Sequence, residues 1–472
     1  MSAKPTLNSD QNKAFKAIKK FLGHPSANTF VLKGYAGTGK TFLMQYLGKW
    51  LEENEQQFCM LATTGRAATV LRGKTGFSTK TVHSEIYNFN KVEGMESHGN
   101  TGDGATDKDG QMSMQFLLRM PDEDNKMLYI IDEASMISGD LAEDNLFATF
   151  GSGVLLDDLF EVAGKNKIIF VGDPCQLPPV KQSISPALDT KWLAKKQRTA
   201  ISFTLTKIER TDASNDILKL AGAIRKMDEE QMFEKFPKIP ASNLNNVKLH
   251  VSDKEMFRAY SERHKNKGTN GTLAIARSNK TVQDINRAMR RDLFGSSTMP
   301  LQLGDVLLVT QNNYRVALSN GDFVIVGELG DIQTKENLHF QKIKVKAVAS
   351  DAEYEILLSL EALNSPKGNL TDDQLKTLLV NFNYRMQGKE IVFNSPEYKK
   401  GMMEDEYLNC LRTTYGYAVT CHKAQGGEWD DVFLFLDKSM YGMKKQELFK
   451  WWYTAITRSR KELNLVRDWW VR

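Results

Sequence analysis

The feature that most restricts this chain is a short glycine-rich turn, GYAGTGKT (34–41), set between an apolar run, TFVL (29–32), and the helically spaced segment TFLMQYLGKWLEE (41–53). The turn fits G-x-x-x-x-G-K-[ST], a pattern whose backbone N–H groups, with those of the following helix, wrap phosphate oxygens. In that pattern Lys40 supplies positive charge to the β and γ phosphates, and the Thr41 hydroxyl binds Mg²⁺. Gly34, Ala36, Gly37, Thr38 and Gly39 complete the candidate nucleotide-binding set. The bland alternative is a chance glycine turn. A strand before it and an amphipathic helix after it, with Leu43, Tyr46, Leu47 and Trp50 on one face, are the context the pattern requires.

A strand–turn–helix of this kind needs a parallel sheet to sit in. FCMLATT (58–64), MLYIIDE (127–133) and KIIFVGD (167–173) are compact apolar runs ending in small or acidic residues. Such runs read as buried parallel strands with their chemistry at the C-terminal ends. Asp132, ending one of them, is placed to hold Mg²⁺ through water, and Glu133 to polarise an attacking water. A second α/β pattern follows in NDILKLAGAIRKM (215–227), TLAIARSN (272–279) and KTVQDINRAMRRDLF (280–294), and DVFLFLD (431–437) resumes it. From Leu303 to about Leu360 short alternating strands suggest an inserted β-barrel, followed by a polar helical piece, 371–409. EIYNFN (85–90) and MQFLLRM (114–120) flank a polar loop (91–110) and can pair as a hairpin.

At 472 residues the chain exceeds one ordinary core. The net charge of +5 suits a nucleic-acid partner without demanding one. The four cysteines form no C-x-x-C pair, which argues against a disulfide framework or a zinc knuckle. No apolar run approaches the roughly 20 residues that span a bilayer, and the start lacks a signal-peptide core. A soluble cytoplasmic protein without a membrane partner is the expectation.

Other chemistries fail on particular residues. The nearest string to a guanine-reading Asn-Lys-x-Asp is Asn279-Lys280-Thr281-Val282, which lacks the Asp. His83-Ser84-Glu85 with Pro174-Cys175 echoes a zinc deaminase, but the second cysteine is missing. VTCHKAQGGEW (419–429) places Cys421 beside His422. A thiolate nucleophile needs a base in a substrate cleft, and adjacent strand residues point to opposite faces.

Taken in chain order, the motifs resemble those of the superfamily 1 helicases, and within them the RecD-like group with 5′→3′ polarity. LNSDQNKAF (7–15) is similar to the Q motif, TTGRAA (63–68) and TKTVHS (79–84) to DNA-contacting motifs, and IIDEASM (130–136) to motif II. VGDPCQLPPV (171–180), LTKIERT (205–211), YGYAVTCHKAQGGEWD (415–430) and YTAITRSRK (453–461) resemble motifs III to VI. The resemblance implies two RecA-like doubly wound parallel-sheet domains with a small inserted hairpin and an inserted SH3-like β-barrel. The expected bounds are 1–84 with 127–200 for the first domain, and 85–126 for the hairpin. They are 201–300 with 411–472 for the second domain, and 301–410 for the barrel.

It further implies ATP with Mg²⁺ as cofactors. Gln11 would read the adenine edge, and Gln176 would sense the γ-phosphate. Arg210 and Arg458 would be arginine fingers from the second domain, with Gln425 and Gly426 toward the nucleotide. Thr64, Arg66, Thr81, His83, Asn279, Lys280, Thr420, His422 and Lys423 would contact a DNA backbone. The implied partners are single-stranded DNA, duplex junctions and other DNA-processing proteins, for a chain working as a monomer. Tyr87, Phe89 and Phe116 can stack on bases, form a strand-splitting pin, or pack a small core. An RNA helicase of the same superfamily and a nucleic-acid-stimulated remodelling ATPase stay open as alternatives.

Overall fold

The computed structural model of the chain describes residues 6–93, 113–120, 126–142, 148–208, 215–232, 236–296 and 300–471. Two sheets frame the described residues. The first has the strand order Thr79–Thr81, Phe58–Ala62, Leu128–Asp132, Lys167–Gly172, Thr29–Gly34, Ala200–Leu205, and every neighbouring pair is parallel. The second, also all parallel, runs Val247–His250, Ser459–Val466, Trp429–Phe435, Thr272–Ala276, Ala418–Thr420.

The continuous apolar runs follow from burial on both faces. In the first sheet Val31, Leu61, Ile131 and Phe170 pack into one core, while Phe30, Leu32, Met60, Ile130 and Ile169 pack into another on the opposite side. Successive side chains alternate across a strand, so a sheet covered by helices twice must be apolar at both parities. The second sheet packs around Trp429, Trp451, Trp452 and Trp470, all buried.

The inserted β-rich unit is an antiparallel sheet in the order Glu353–Ser359, Leu338–Ala347, Phe323–Lys335, Val306–Val309, Thr413–Tyr415. Its two ends meet where Leu411 N–H donates to Leu357 O (2.7 Å) and Ser359 N–H donates to Leu411 O (3.1 Å). Leu307, Val324, Ile343, Val345 and Ile356 fill the interior. A buried ion pair fixes this unit to the second sheet: Arg290 reaches both Asp305 oxygens at 3.0 Å, and Tyr417 donates to Asp305 at 2.9 Å. Removing one partner of such a pair would strand the other charge, at about 3–5 kcal/mol.

Three details differ from the sequence expectations. The hairpin Tyr87–Glu93 with Ser113–Leu118 forms, but a third strand, Ala148–Phe150, joins it in parallel. The first sheet runs on to Leu205, and Thr413–Tyr415 pairs with the barrel strands rather than with the second parallel sheet. The helical piece is less polar than its composition suggests. Helices Asp372–Gln387 and Pro396–Glu404 enclose Leu375, Leu378, Leu379, Phe382, Tyr398 and Met402, and hairpin residue Val92 enters this core. The Asn394 side chain clasps the Val92 backbone, accepting from its N–H (3.0 Å) and donating to its carbonyl (3.1 Å). Among the described residues no helix is long and apolar enough to cross a membrane.

Candidate nucleotide cleft and nucleic-acid groove

The strand Thr29–Gly34 ends in the glycine turn, and helix Lys40–Glu53 starts from Gly39 with no side-chain cap. Its first N–H groups are therefore free to point at an anion. Gly37 and Gly39 hold φ of 80° and 77°, a left-handed conformation that favours glycine. Lys40 Nζ donates to Gly34 O (2.7 Å) and Tyr35 O (3.2 Å), folding back over the turn. These elements line a cleft of about 650 Å³ together with Gln11, Thr41, Asp132, Glu133 and Gln176 from the first sheet's side. Gly426, Thr457 and Arg458 face them from the second.

Asp132 ends its strand beside Ala62, and burial with the neighbouring Glu133 carboxylate raises its pKa. Glu133 holds a left-handed φ of 51°, costly for a residue with a Cβ and frequent where function dictates geometry. Gln176 is 4% exposed, and its Oε1 has no hydrogen-bond partner among the described residues, leaving an amide group for a ligand or water. The Thr41 hydroxyl and Asp132 carboxylate are the hard oxygen donors that Mg²⁺ takes alongside phosphate and water.

Other expected residues sit differently. Gln11 braces the turn: its Nε2 donates to Thr38 O (3.3 Å) and its Oε1 accepts from Asn8 N–H (3.1 Å), so reading an adenine edge requires these bonds to be exchanged. Gln425 is buried and donates to Leu177 O (3.2 Å); it does not line the cleft. Arg458 is 4% exposed and bonds its own domain, donating to Thr454 O (3.0 Å), Gly427 O (3.2 Å) and Thr457 Oγ1 (3.2 Å). Arg210 lies outside the described residues.

One buried residue beside the cleft escaped the sequence reading. Tyr453, on helix Lys445–Ile456 of the second sheet's domain, accepts from Ala36 N–H in the turn (2.9 Å) and donates to Asp173 (2.7 Å). Next to it, Thr454 Oγ1 accepts from Leu177 N–H (2.8 Å). Tyr35 is held from the same side, its hydroxyl donating to Glu229 (3.3 Å) and its ring covered by Arg225 at 3.9 Å. The second domain thus grips the phosphate turn directly. Tyr453 stands inside YTAITRSRK, but only its partners across the cleft give it a role.

The candidate DNA contacts share one structural theme. Thr81 and Thr420 end parallel strands and Thr64 follows one, and each accepts from an N–H three residues on as a helix N-cap. A capping hydroxyl that accepts this way keeps its O–H as a donor, as Thr64 and Thr420 do; Thr81 spends its own on Ser84. Thr81 pairs in register beside Ala62, and Thr420 beside Ala276, so the strand ends line up within each sheet. Asn279 and Lys280 are exposed at the start of helix Asn279–Phe294, and Lys423 is exposed on the turn Cys421–Ala424. Burial lowers the His83 and His422 pKa values.

Two placements correct the sequence picture. Cys421 and His422 lie in a one-turn helix rather than on a strand. Cys421 is nevertheless buried, its thiol pKa pushed up to about 12 by desolvation, which leaves no nucleophile. Arg66 does not line the groove formed by Arg72, Thr81, His83, Phe116 and Tyr314: its guanidinium stacks on Phe323 at 4.8 Å and Trp429 at 4.4 Å, and burial lowers its pKa to about 10. It bridges the first domain to the barrel strands and the second sheet. Among the described residues no group of three or more His, Cys, Asp or Glu side chains stands together as a metal-binding cluster.

The AAA domain family matches residues 6–238, and the UvrD-like helicase C-terminal domain family matches residues 415–466. An uncharacterized protein of Acanthamoeba polyphaga mimivirus is 21% identical over 98% of this chain and 99% of its own length. An uncharacterized protein of Methanocaldococcus jannaschii is 23% identical over 92% of this chain, which spans 36% of that longer protein. Among solved structures, the Pif1 helicase from Bacteroides in complex with ADP-AlF3 and ssDNA superposes with a TM-score of 0.50 at 18% identity, over 99% of this chain and 93% of that one. The Candida albicans Pif1 helicase gives 0.44 at 15% identity, over 98% and 95%. The pair of RecA-like domains is the fold that the Bacteroides Pif1 structure shares with this chain.

Proposed function

We propose that this chain, an ATP-dependent helicase of superfamily 1, moves 5′→3′ along single-stranded DNA and separates the duplex ahead of it, as a member of the RecD-like group. The observation that carries the reading is the cleft. A phosphate turn, two carboxylates and Gln176 stand on one side, and Arg458 stands on the other, two residues past the end of the helix whose Tyr453 already touches the turn. A motor needs that arrangement, because only a nucleotide held from both sides can turn loss of its γ-phosphate into relative motion of two domains.

In this reading Lys40 leaves the Gly34 and Tyr35 carbonyls for phosphate oxygens. Glu133 orients the attacking water and Gln176 reports the γ-phosphate. Arg458 exchanges its carbonyl partners for phosphate, where a guanidinium can donate two parallel bonds. Thr41 and Asp132 would hold Mg²⁺, which when bound neutralises charge on the phosphates. Hydrolysis removes what Arg458 grips, and the cleft opens. The capping threonines, Asn279, Lys280 and Lys423 suit a phosphate backbone and carry little base information, so binding is sequence-independent. The clasped hairpin beside the groove is the candidate strand separator, and the closed five-stranded unit is read as the SH3-like barrel. The 5′→3′ direction rests on the resemblance of the motif set to the RecD-like group.

ATP hydrolysis measured with and without a homopolymer DNA strand tests the reading. Strong stimulation by DNA, absent in Lys40→Ala, supports it. Equal stimulation by the matching RNA would favour the RNA helicase.

A further inference from the structure

We infer that Tyr314 is a base-stacking residue, the outer rung of an aromatic ladder that receives a nucleobase of the single strand; this rests on the single-stranded DNA reading above. The aromatics that the hairpin sequence offers for stacking are taken up in packing. Phe116 is 5% exposed, and Tyr87 is buried with its hydroxyl bonded to Asp158. Tyr314, from a loop of the barrel unit, is 48% exposed. Its ring lies 6.4 Å from Phe116 at 19°, and Phe116 lies 4.6 Å from Phe150 at 14°. Both pairs fall in the range of offset stacking, so three near-parallel rings run from the buried hairpin sheet out to an open face.

The cleft beside this ladder measures about 460 Å³ and has two kinds of wall. One carries Tyr314, Phe116 and Phe150. The other carries Arg72, Lys80 and Thr81, and Thr81 is also one of the strand-end caps of the proposed backbone path. Lys80 is paired with Glu85 (2.8 Å) and Arg72 donates to Thr79 O (3.1 Å), bonds that both cations can exchange for phosphate. A wall of exchangeable cations facing an aromatic one is the chemistry of a nucleotide unit, phosphate on one side and base on the other. Continuity with the strand ends makes a DNA strand the occupant.

The loop is also held ready. Asn313 donates to Asn409 O (2.7 Å), and its Oδ1 accepts from Arg315 N–H (2.9 Å) and Val316 N–H (3.1 Å). Asn312 Oδ1 accepts from Asn320 N–H (2.9 Å). The loop that carries Tyr314 is thus held by the Asn312 and Asn313 side chains before any ligand arrives, which lowers the ordering cost of binding.

The test uses the full chain and DNA oligonucleotides carrying 2-aminopurine at successive positions, whose fluorescence is quenched by stacking. Wild type should quench strongly at one register. Tyr314→Ala should lose quenching at that register and bind about tenfold more weakly, and Tyr314→Phe should keep both. Unchanged affinity and quenching in Tyr314→Ala would overturn the inference while the helicase reading stands. If wild type binds no DNA strand, the reading itself fails and the inference falls with it. Tyr314 is half exposed, so its loss should leave the fold intact, and a thermal melt of each variant checks this.

Discussion

The nucleotide cleft and the aromatic groove are built from different materials. The cleft gathers backbone N–H groups and strand-end side chains from short stretches, 36–41, 132–133 and 457–458, with Gln176, and the two domains lock beside it through Tyr453, Thr454 and Gln425. The groove instead brings Tyr87 and Phe116 of the hairpin together with Phe150 and Tyr314, which lie in stretches with no local signature. Its shape depends on a hairpin clasped by a distant helical unit. Chemistry that must touch phosphate is fixed by local geometry, whereas a surface that must accept any base is fixed by packing alone.

If that division is right, a change in the cleft should stop hydrolysis while leaving the strand bound. The largest effect should come from Arg458→Ala, with kcat for DNA-stimulated hydrolysis falling by about 10³-fold or more. Equilibrium titration should find affinity for single-stranded DNA nearly unchanged. Next, Tyr453→Phe removes the acceptor for Ala36 N–H and the donor to buried Asp173. Leaving such groups unsatisfied costs about 1–3 kcal/mol, so kcat should drop roughly tenfold or more, with KM for ATP moving far less. An equal rise in KM would mean that Tyr453 only helps to hold the nucleotide.

On the groove side, Asn394→Ala frees Val92 from its clasp. Unwinding should fall by about 3- to 10-fold while DNA-stimulated hydrolysis stays near wild type. Loss of both together would show that the hairpin supports the first domain generally and would blur the division. The smallest effect belongs to Cys421→Ala, a buried thiol in contact with the carbonyl of Trp451. Hydrolysis should stay within about twofold, at a stability cost near 1 kcal/mol visible in urea unfolding.

Much of the cleft was legible because its residues announce themselves by spacing: GYAGTGKT between a strand and a helix leaves little freedom. Both parallel sheets could be read for the same reason, since strands covered on two faces must be continuously apolar. Arg66 could not be placed, because nothing local says that Phe323 and Trp429 will close over it. The stripe Leu375, Leu378, Leu379, Phe382 and Met386 was present at helical spacing but diluted by polar residues on the other faces. The short strand Ala148–Phe150 is three residues long, too brief for alternation to register. Tyr314 sits among Asn, Arg and Val, and only its distance to Phe116 gives it meaning.

The most direct measurement is strand separation on duplexes carrying either a 5′ or a 3′ single-stranded tail, with ATP and Mg²⁺, and with Lys40→Ala and a blunt duplex as controls. Unwinding from the 5′ tail alone, lost in Lys40→Ala, is the predicted result. Unwinding only from the 3′ tail would contradict the polarity, and DNA-stimulated hydrolysis without separation from either tail would contradict the proposed strand-separating motor.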